Sequence, residues 1–368
     1  MIIKLFFLIT LLLQIAFAIP RFALENGTGC AACHVSPTGG GMRNDYGNNV
    51  VALDELPLKR WQKSGSEDWD GFITDLLMIG GDFRIQGLSY SDTDSTTKSV
   101  VFPMQADVHT NLKINKKASL YSRIGVVSRS SISMNYWLHL ENLPYSSWMR
   151  VGRFMPNYGL RLADHTSFIR GGNTNRTKQF FETEGMIITP YISSPVILEF
   201  GLPLKSSLLW TLSWATPILK NSEEIGNFTT HINYVGGGET LSYLTGISYL
   251  QEENVHLIEG YGGIHFKQLS WTGAVSRADN WVDSGISLAV YQEIAYEIIQ
   301  GLHLLGKYDF FDPSIDVLTG SISRFSLGLD IFPLNILEIK LQARFNQVDS
   351  KEYEQKSPEL LLQTHFYF

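Results

Sequence analysis

The residues with the clearest chemistry sit together near the start of the chain, in "NGTGCAACHVSP", Asn26 to Pro37. The chain has 2 cysteines and both are here, Cys30 and Cys33, with His34 directly after the second. C-x-x-C-H is the attachment pattern of a c-type haem, and its spacing has a chemical reason. Two thiols three positions apart can each form a thioether with one vinyl group of a single haem. The residue that follows offers its imidazole to the iron from one side. Covalent links hold the cofactor even where burial is poor. Other uses of the same residues want different surroundings. A structural zinc site takes about four ligands, and the remaining histidines are scattered over the later chain. A thioredoxin-like pair wants a compact α/β domain around it, and the sequence shows none. A disulfide between Cys30 and Cys33 would close a very small, strained loop.

A haem iron held by His34 needs a second axial ligand or an open position. Met42 is the nearest candidate in sequence, and Pro37 with Gly39, Gly40 and Gly41 between them suits a chain that wraps a haem edge. Met104, His109 and His139 are further candidates if later elements turn them inwards. Asp164 and His165 are adjacent, but a lone Asp-His dipeptide is weak ground for catalysis. No nucleophile or acid–base constellation stands out.

The elements that must position this motif follow from the rest of the chain. "MIIKLFFLITLLLQIAFA", residues 1–18, has one lysine, a short apolar run and a small-x-small end. It reads as a secretory signal peptide with the mature chain starting at Ile19. No later run reaches the roughly 18 apolar residues of a membrane-spanning helix. Residues 19–75 are polar and rich in turn formers, with "SEDWDGFITDLL" from Ser66 reading as a short helix capped by Ser66.

From about residue 76 the pattern changes to short strand-like segments separated by turns. In "LEIKLQARFNQ", Leu337, Ile339, Leu341, Ala343 and Phe345 fall on one face. Glu338, Lys340, Gln342, Arg344 and Asn346 fall on the other, as a two-residue period requires. Candidate strands lie at 76–90, 99–115, 117–129, 131–141, 146–155, 180–190, 194–203, 206–216 and 228–237. They continue at 240–250, 254–266, 268–278, 283–296, 298–311, 320–332, 335–347 and 357–368. Bacterial single-chain barrels take even strand numbers, so these segments predict about sixteen strands. The chain ends "LLLQTHFYF", with Leu360, Leu362, Phe366 and the terminal Phe368 on one alternating face. A last strand ending in Phe is similar to the recognition signal of bacterial outer-membrane barrels.

Composition agrees. There are 21 Phe, 16 Tyr and 8 Trp with only 18% charged residues, and the mean hydropathy of -0.01 is what alternating faces give on averaging. The net charge of -7 argues against nucleic acid as a partner. The expected architecture is therefore all-β: an outer-membrane, transmembrane antiparallel β-barrel of about 16 strands over residues 76–368. Closure removes sheet edges and satisfies every backbone group in lipid. Ahead of it stands a short, mostly irregular N-terminal c-haem segment, residues 19–75. An even strand number puts both barrel ends on the periplasmic side, so this segment enters the lumen as a plug and the wall completes the cover of one covalent haem. One connection, from Arg153 to Gln179, is long and basic, with Arg153, Arg161, Arg170, Arg176 and Lys178. It either folds into the lumen and biases it towards anions or lies outside against surface lipopolysaccharide.

"PRFALENGTGCAACHVSPTGGG", Pro20 to Gly41, resembles the start of the fused monohaem cytochrome–porins of the outer membrane, best known from iron-oxidising bacteria. Phe22-Ala23, Gly29, Cys30, Cys33, His34 and Pro37 carry the likeness, which covers about 25 residues; "TGGGMRNDYG" stands where that family has a Phe-Gly-Arg pattern. The resemblance implies electron transfer between an extracellular donor or acceptor, Fe(II) among them, and a periplasmic c-type cytochrome. It also implies a possible Fe(II) oxidase activity. Two other readings stay open: a passive, anion-preferring porin whose N-terminal plug is closed by a disulfide, and a porin-like partner that docks a separate multihaem cytochrome.

Overall fold

The computed structural model describes residues 21–58, 70–91, 97–127, 131–162, 164, 166–172, 185–186, 195–205, 207–217, 226–238, 240–281, 285–349 and 354–368. The signal peptide and the expected helix start at Ser66 lie outside these residues. Where that helix would continue, Phe72–Thr74 forms a short strand, β1, which pairs with the next strand from Phe72 to Met78. Cross-strand pairing overrides the local helix signal here.

Sixteen longer strands follow. They are β2 (Leu77–Ser91), β3 (Thr97–Asn115), β4 (Ala118–Val127), β5 (Ser131–Leu140), β6 (Trp148–Arg153), β7 (Val196–Lys205), β8 (Leu208–Ala215) and β9 (Asn227–Gly237). The second half holds β10 (Leu241–Glu252), β11 (Val255–Phe266), β12 (Leu269–Asp279), β13 (Ile286–Ile299), β14 (Leu302–Asp312), β15 (Ile322–Leu334), β16 (Leu337–Asp349) and β17 (Glu354–Tyr367). Each pairs antiparallel with its sequence neighbour, and β17 returns to β2 from Glu359↔Tyr90 to Tyr367↔Asp82. The result is a closed barrel of sixteen strands. Of the expected segments, 180–190 lies outside the described residues except for Gly185 and Met186, which form a bend, with Met186 buried.

The two faces of the wall differ as the two-residue period demands. On β16, Glu338, Gln342, Arg344 and Asn346 are buried, whereas Leu341 is 47% and Phe345 58% exposed. On β17 the outward set is Leu360, Leu362 and Phe366. A continuous apolar exterior around a polar interior is stable only in a bilayer. No helix among the described residues is long and apolar enough to cross a membrane, and the strands do the crossing. Two-residue turns join β3 to β4, β11 to β12, β13 to β14 and β15 to β16 at one rim, where most connections are short; at the other rim only β10 to β11 is as short among the described residues. In outer-membrane barrels the short turns face the periplasm.

The N-terminal segment enters from this rim and occupies the lumen. It is built of short helical pieces: α1 (Arg21–Glu25), a 3-10 turn at Cys30–Ala32, and a π-helical stretch at Gly47–Glu55. Three apolar contacts seat it. Leu24 joins a lumenal cluster that includes Leu244, Leu257 and Tyr261. Met42 packs with Met78, Tyr121 and Trp137. Val51 and Leu56 meet Phe332. Polar ties complete the fit: Arg21 Nη2 lies 2.9 Å from Asp330 Oδ2, and Leu58 N–H donates to Phe332 O at 2.9 Å.

The long connection after β6 also turns inwards, which decides between its two expected placements. Gly159 N–H donates to Ser248 Oγ (2.7 Å), Leu160 N–H to Glu259 Oε1 (2.6 Å) and Ser167 Oγ to Asp309 Oδ1 (2.6 Å). All three acceptors are buried on the lumenal face. Plug and inward loop meet where Arg161 Nη1 donates to Gly39 O at 3.1 Å. Arg176 and Lys178 lie outside the described residues.

Candidate functional site

The cysteine motif sits inside the barrel at the meeting point of plug, wall and inward loop. The turn at Cys30–Ala32 brings Cys33 N–H and His34 N–H to within 3.3 and 3.2 Å of Cys30 O. The chain then doubles back: His34 bridges Arg43 in antiparallel fashion, and Val35 N–H donates to Met42 O at 3.0 Å. Gly39, Gly40 and Gly41 make the reversal with φ of 82°, 75° and 67°. Residues with a Cβ avoid this left-handed region. A Cβ on Gly39 would in addition stand 2.5 Å from Cys30 Cβ. The glycine run therefore folds the chain directly over the first cysteine.

Cys30, Cys33 and His34 border a cavity of about 430 Å³ whose walls include Met42, His109, Trp137, Phe154 and Phe332. That volume falls in the range of about 300–1,000 Å³ usual for cofactor sites. A larger space of about 950 Å³ adjoins it and shares Cys30, His34 and Arg161. Both cysteines are thiols. Burial pushes the Cys30 thiol up, and burial, then Cys30 beside it, pushes Cys33 up to about 11. Neither is poised as a thiolate nucleophile. Burial and the Arg43 guanidinium push His34 down to about 4, so its imidazole is neutral at pH 7, the form that ligates metals. His34 Nδ1 lies 3.2 Å from Gly41 O. Donation there leaves the Nε2 lone pair available.

The other candidate residues divide. Met42 is 4% exposed, lines the same cavity as His34, and packs with Met78, Tyr121 and Trp137. His109 faces the lumen from β3, 2% exposed, and lines the same cavity as His34. His139 faces the lumen from β5 but lines the larger space, with its ring against Trp148. Met104 is buried on β3 and lines neither cavity. Asp164 is an anchor of the inward loop, 3.1 Å from Lys307 Nζ and accepting from Thr166 Oγ1 at 2.6 Å; His165 lies outside the described residues. Among the described residues, no group of three or more His, Cys, Asp or Glu gathers to hold a metal ion.

Three features have no local signature in the sequence. Arg150 on β6 forks between Glu199 Oε1 (2.6 Å from Nη2), Ser36 Oγ (3.1 Å from Nη1) and Thr38 Oγ1 (2.9 Å from Nη2), clamping the plug to the wall. Arg43 donates from Nε to Asn48 Oδ1 at 2.9 Å and lies over Tyr367. Arg161 donates to the carbonyls of Gly39, Met155 and Pro156. Among the described residues neither Arg43 nor Arg161 has a carboxylate at ion-pair distance, although both line the cavity. Burial and the Arg150 charge pull Arg161 down to about 10, so it stays cationic and would be favoured by an anion beside it.

These residues fit a haem. A mostly apolar cavity of suitable size is bordered by the thiols of the motif, a neutral axial imidazole, a second imidazole on the wall, and two guanidiniums suited to propionates.

Neither a protein-family model nor a curated protein matches the sequence. Solved structures match the fold. Pseudomonas putida OprB, in its high-pH structure, superposes with a TM-score of 0.60 at 10% identity, over 80% of this chain and 94% of that one. The anion-selective porin from Comamonas acidovorans gives 0.56 at 8% identity, over 79% and 99%. Salmonella typhi OmpF, in its complex with daunomycin, gives 0.56 at 11% identity, over 79% and 97%. At such identities the likeness is one of fold, and the fold is that of a porin-like outer-membrane β-barrel.

Proposed function

We propose that this barrel carries one covalent c-type haem in its lumen and passes electrons between an extracellular donor or acceptor and a periplasmic c-type cytochrome. The observation that carries the reading is the placing of Cys30, Cys33 and His34 at the edge of a cavity inside the barrel. In this reading Cys30 and Cys33 tether the cofactor by thioethers and His34 is its proximal ligand. A bound haem would supply one-electron chemistry. The chain's own residues hold it at a fixed depth, keep lipid away and set its surroundings. Arg43 and Arg161 balance the propionate charge. Fe(II) is one extracellular donor compatible with this plan.

The test is a haem stain of the denatured protein, made in a host with c-type maturation, beside Cys30→Ala and Cys33→Ala variants. Covalent haem in the parent, lost from the double variant, is the expected result. A parent that carries none, or loses it on denaturation, refutes the reading.

A second reading is a passive outer-membrane porin with an anion preference, and the fold likeness taken alone favours it. The lumenal Arg161 and Arg170 and the space of about 950 Å³ are the specific observations on its side. Planar-bilayer conductance separates the two. A plugged electron conduit conducts ions poorly, and an open porin conducts well with anion selectivity.

A further inference from the structure

We infer that His109, reaching into the cavity from the barrel wall, is the second axial ligand of the iron, and that Tyr121 positions it. The inference rests on the haem reading above and adds what that reading leaves open.

His109 is nearly fully buried, and its Nε2 has no hydrogen-bond partner. A buried imidazole nitrogen left without a partner is costly. A metal ion is the kind of partner that would remove this cost. The other ring nitrogen is already engaged: Nδ1 is 2.7 Å from Tyr121 Oη. In the tautomer that donates from Nδ1, the Nε2 lone pair is the free one. Ligating histidines usually have their second nitrogen fixed in this way. Tyr121 is itself held, stacked on Trp137 with ring centroids 3.9 Å apart and planes 20° from parallel.

Gly41 ties this imidazole to that of His34. Its carbonyl oxygen is 3.2 Å from His34 Nδ1. A Cβ on it would come 3.6 Å from His109 Cε1 and 3.7 Å from His109 Nδ1. Both rings thus approach Gly41 by their Nδ1 side and border one cavity. The residues directly across from His109 are Gly80 on β2 and Arg123 on β4. Met42 borders the same cavity, where it packs with Met78, Tyr121 and Trp137, its Cγ 3.5 Å from where a Gly80 Cβ would be.

The experiment uses the full-length holoprotein in detergent, read by electron paramagnetic resonance and near-infrared magnetic circular dichroism. Resistance of the barrel to SDS serves as the folding control. The parent is expected to be low-spin with two imidazole ligands and to lack the sulfur-to-iron charge-transfer band. Met42→Leu should leave that spectrum unchanged. His109→Ala should lose the low-spin signature and regain it when imidazole is added. His109→Met should gain the sulfur band and rise in midpoint potential, as a Met/His pair does relative to two histidines. Tyr121→Phe should keep two imidazoles but shift the potential, which a purely structural tyrosine would not do.

A His109→Ala protein that stays low-spin overturns the inference, as does a parent that is high-spin or shows the sulfur band. Should His109→Ala fail to fold, His109→Met decides, and a parental spectrum there also overturns it. A parent without covalent haem defeats the underlying reading instead, and the stain shows that before any variant is compared.

Discussion

Replacing Arg150 by methionine tests how the plug is held. The side chain of Arg150 is 2% exposed, with Nε 2.8 Å and Nη2 2.6 Å from Glu199 Oε1. Its remaining donors reach Ser36 and Thr38 on the plug, and the Phe154 ring lies 4.2 Å from the guanidinium carbon. Methionine keeps much of the volume and loses every donor. Two separate costs follow. Hydrogen bonds to a charged group are worth about 1.5–3 kcal/mol each, so losing the two plug contacts weakens local docking by about 3–6 kcal/mol. Glu199, 0% exposed, retains the Asn157 N–H at 2.9 Å but loses its counter-ion. One-sided removal from a buried pair costs about 3–5 kcal/mol. Adding Glu199→Gln removes the second cost and leaves the first. The assay is planar-bilayer conductance together with hydrogen exchange of residues 21–58. Both the single and the double variant should open the lumen and lower plug protection by about two to four powers of ten. Only the single variant should lose much barrel stability. A double variant with parental conductance and protection would refute the clamp.

Gly39→Ala combines a left-handed φ of 82° with a clash against Cys30. It should cost about 1–3 kcal/mol locally and reduce haem per barrel in the stain. Leu24 is 0% exposed, so Leu24→Ala should cost about 2–5 kcal/mol and loosen the first turn of the plug in hydrogen exchange with little effect on the strands. Glu25, half-buried beside Arg21 and Ser270, is raised from 4.5 to about 7, chiefly by its partial removal from water. The docked segment therefore keeps a proton that the released chain gives up. This contribution to docking is complete below about pH 4.5 and is lost as pH rises through 7. Exchange protection at Arg21–Glu25 should fall over that window and become flat in Glu25→Gln; protection that rises with pH would contradict the assignment.

What could be read from the sequence and what could not divides along one physical line. Strands whose two faces meet lipid and lumen write that contrast into a two-residue period, so β16 and β17 were legible residue by residue. The cysteine motif stands out in the sequence because its residues are contiguous. Met186 is apolar in a lumenal cluster, and composition cannot tell such surroundings from the bilayer. Ser36, Thr38, Arg150 and Glu199 left no signal, since the fork that joins them spans more than 100 residues of chain. The second imidazole shows the same limit most sharply. Met42 is near His34 in sequence and borders the same cavity. His109 belongs to the wall and is distant in sequence, and closing the barrel brings it to the cavity. A plug of this length has too few side chains to enclose a large cofactor alone. In the proposed haem reading the residues that complete the site would come from the barrel, where the alternation that builds the wall also decides which of them point inwards.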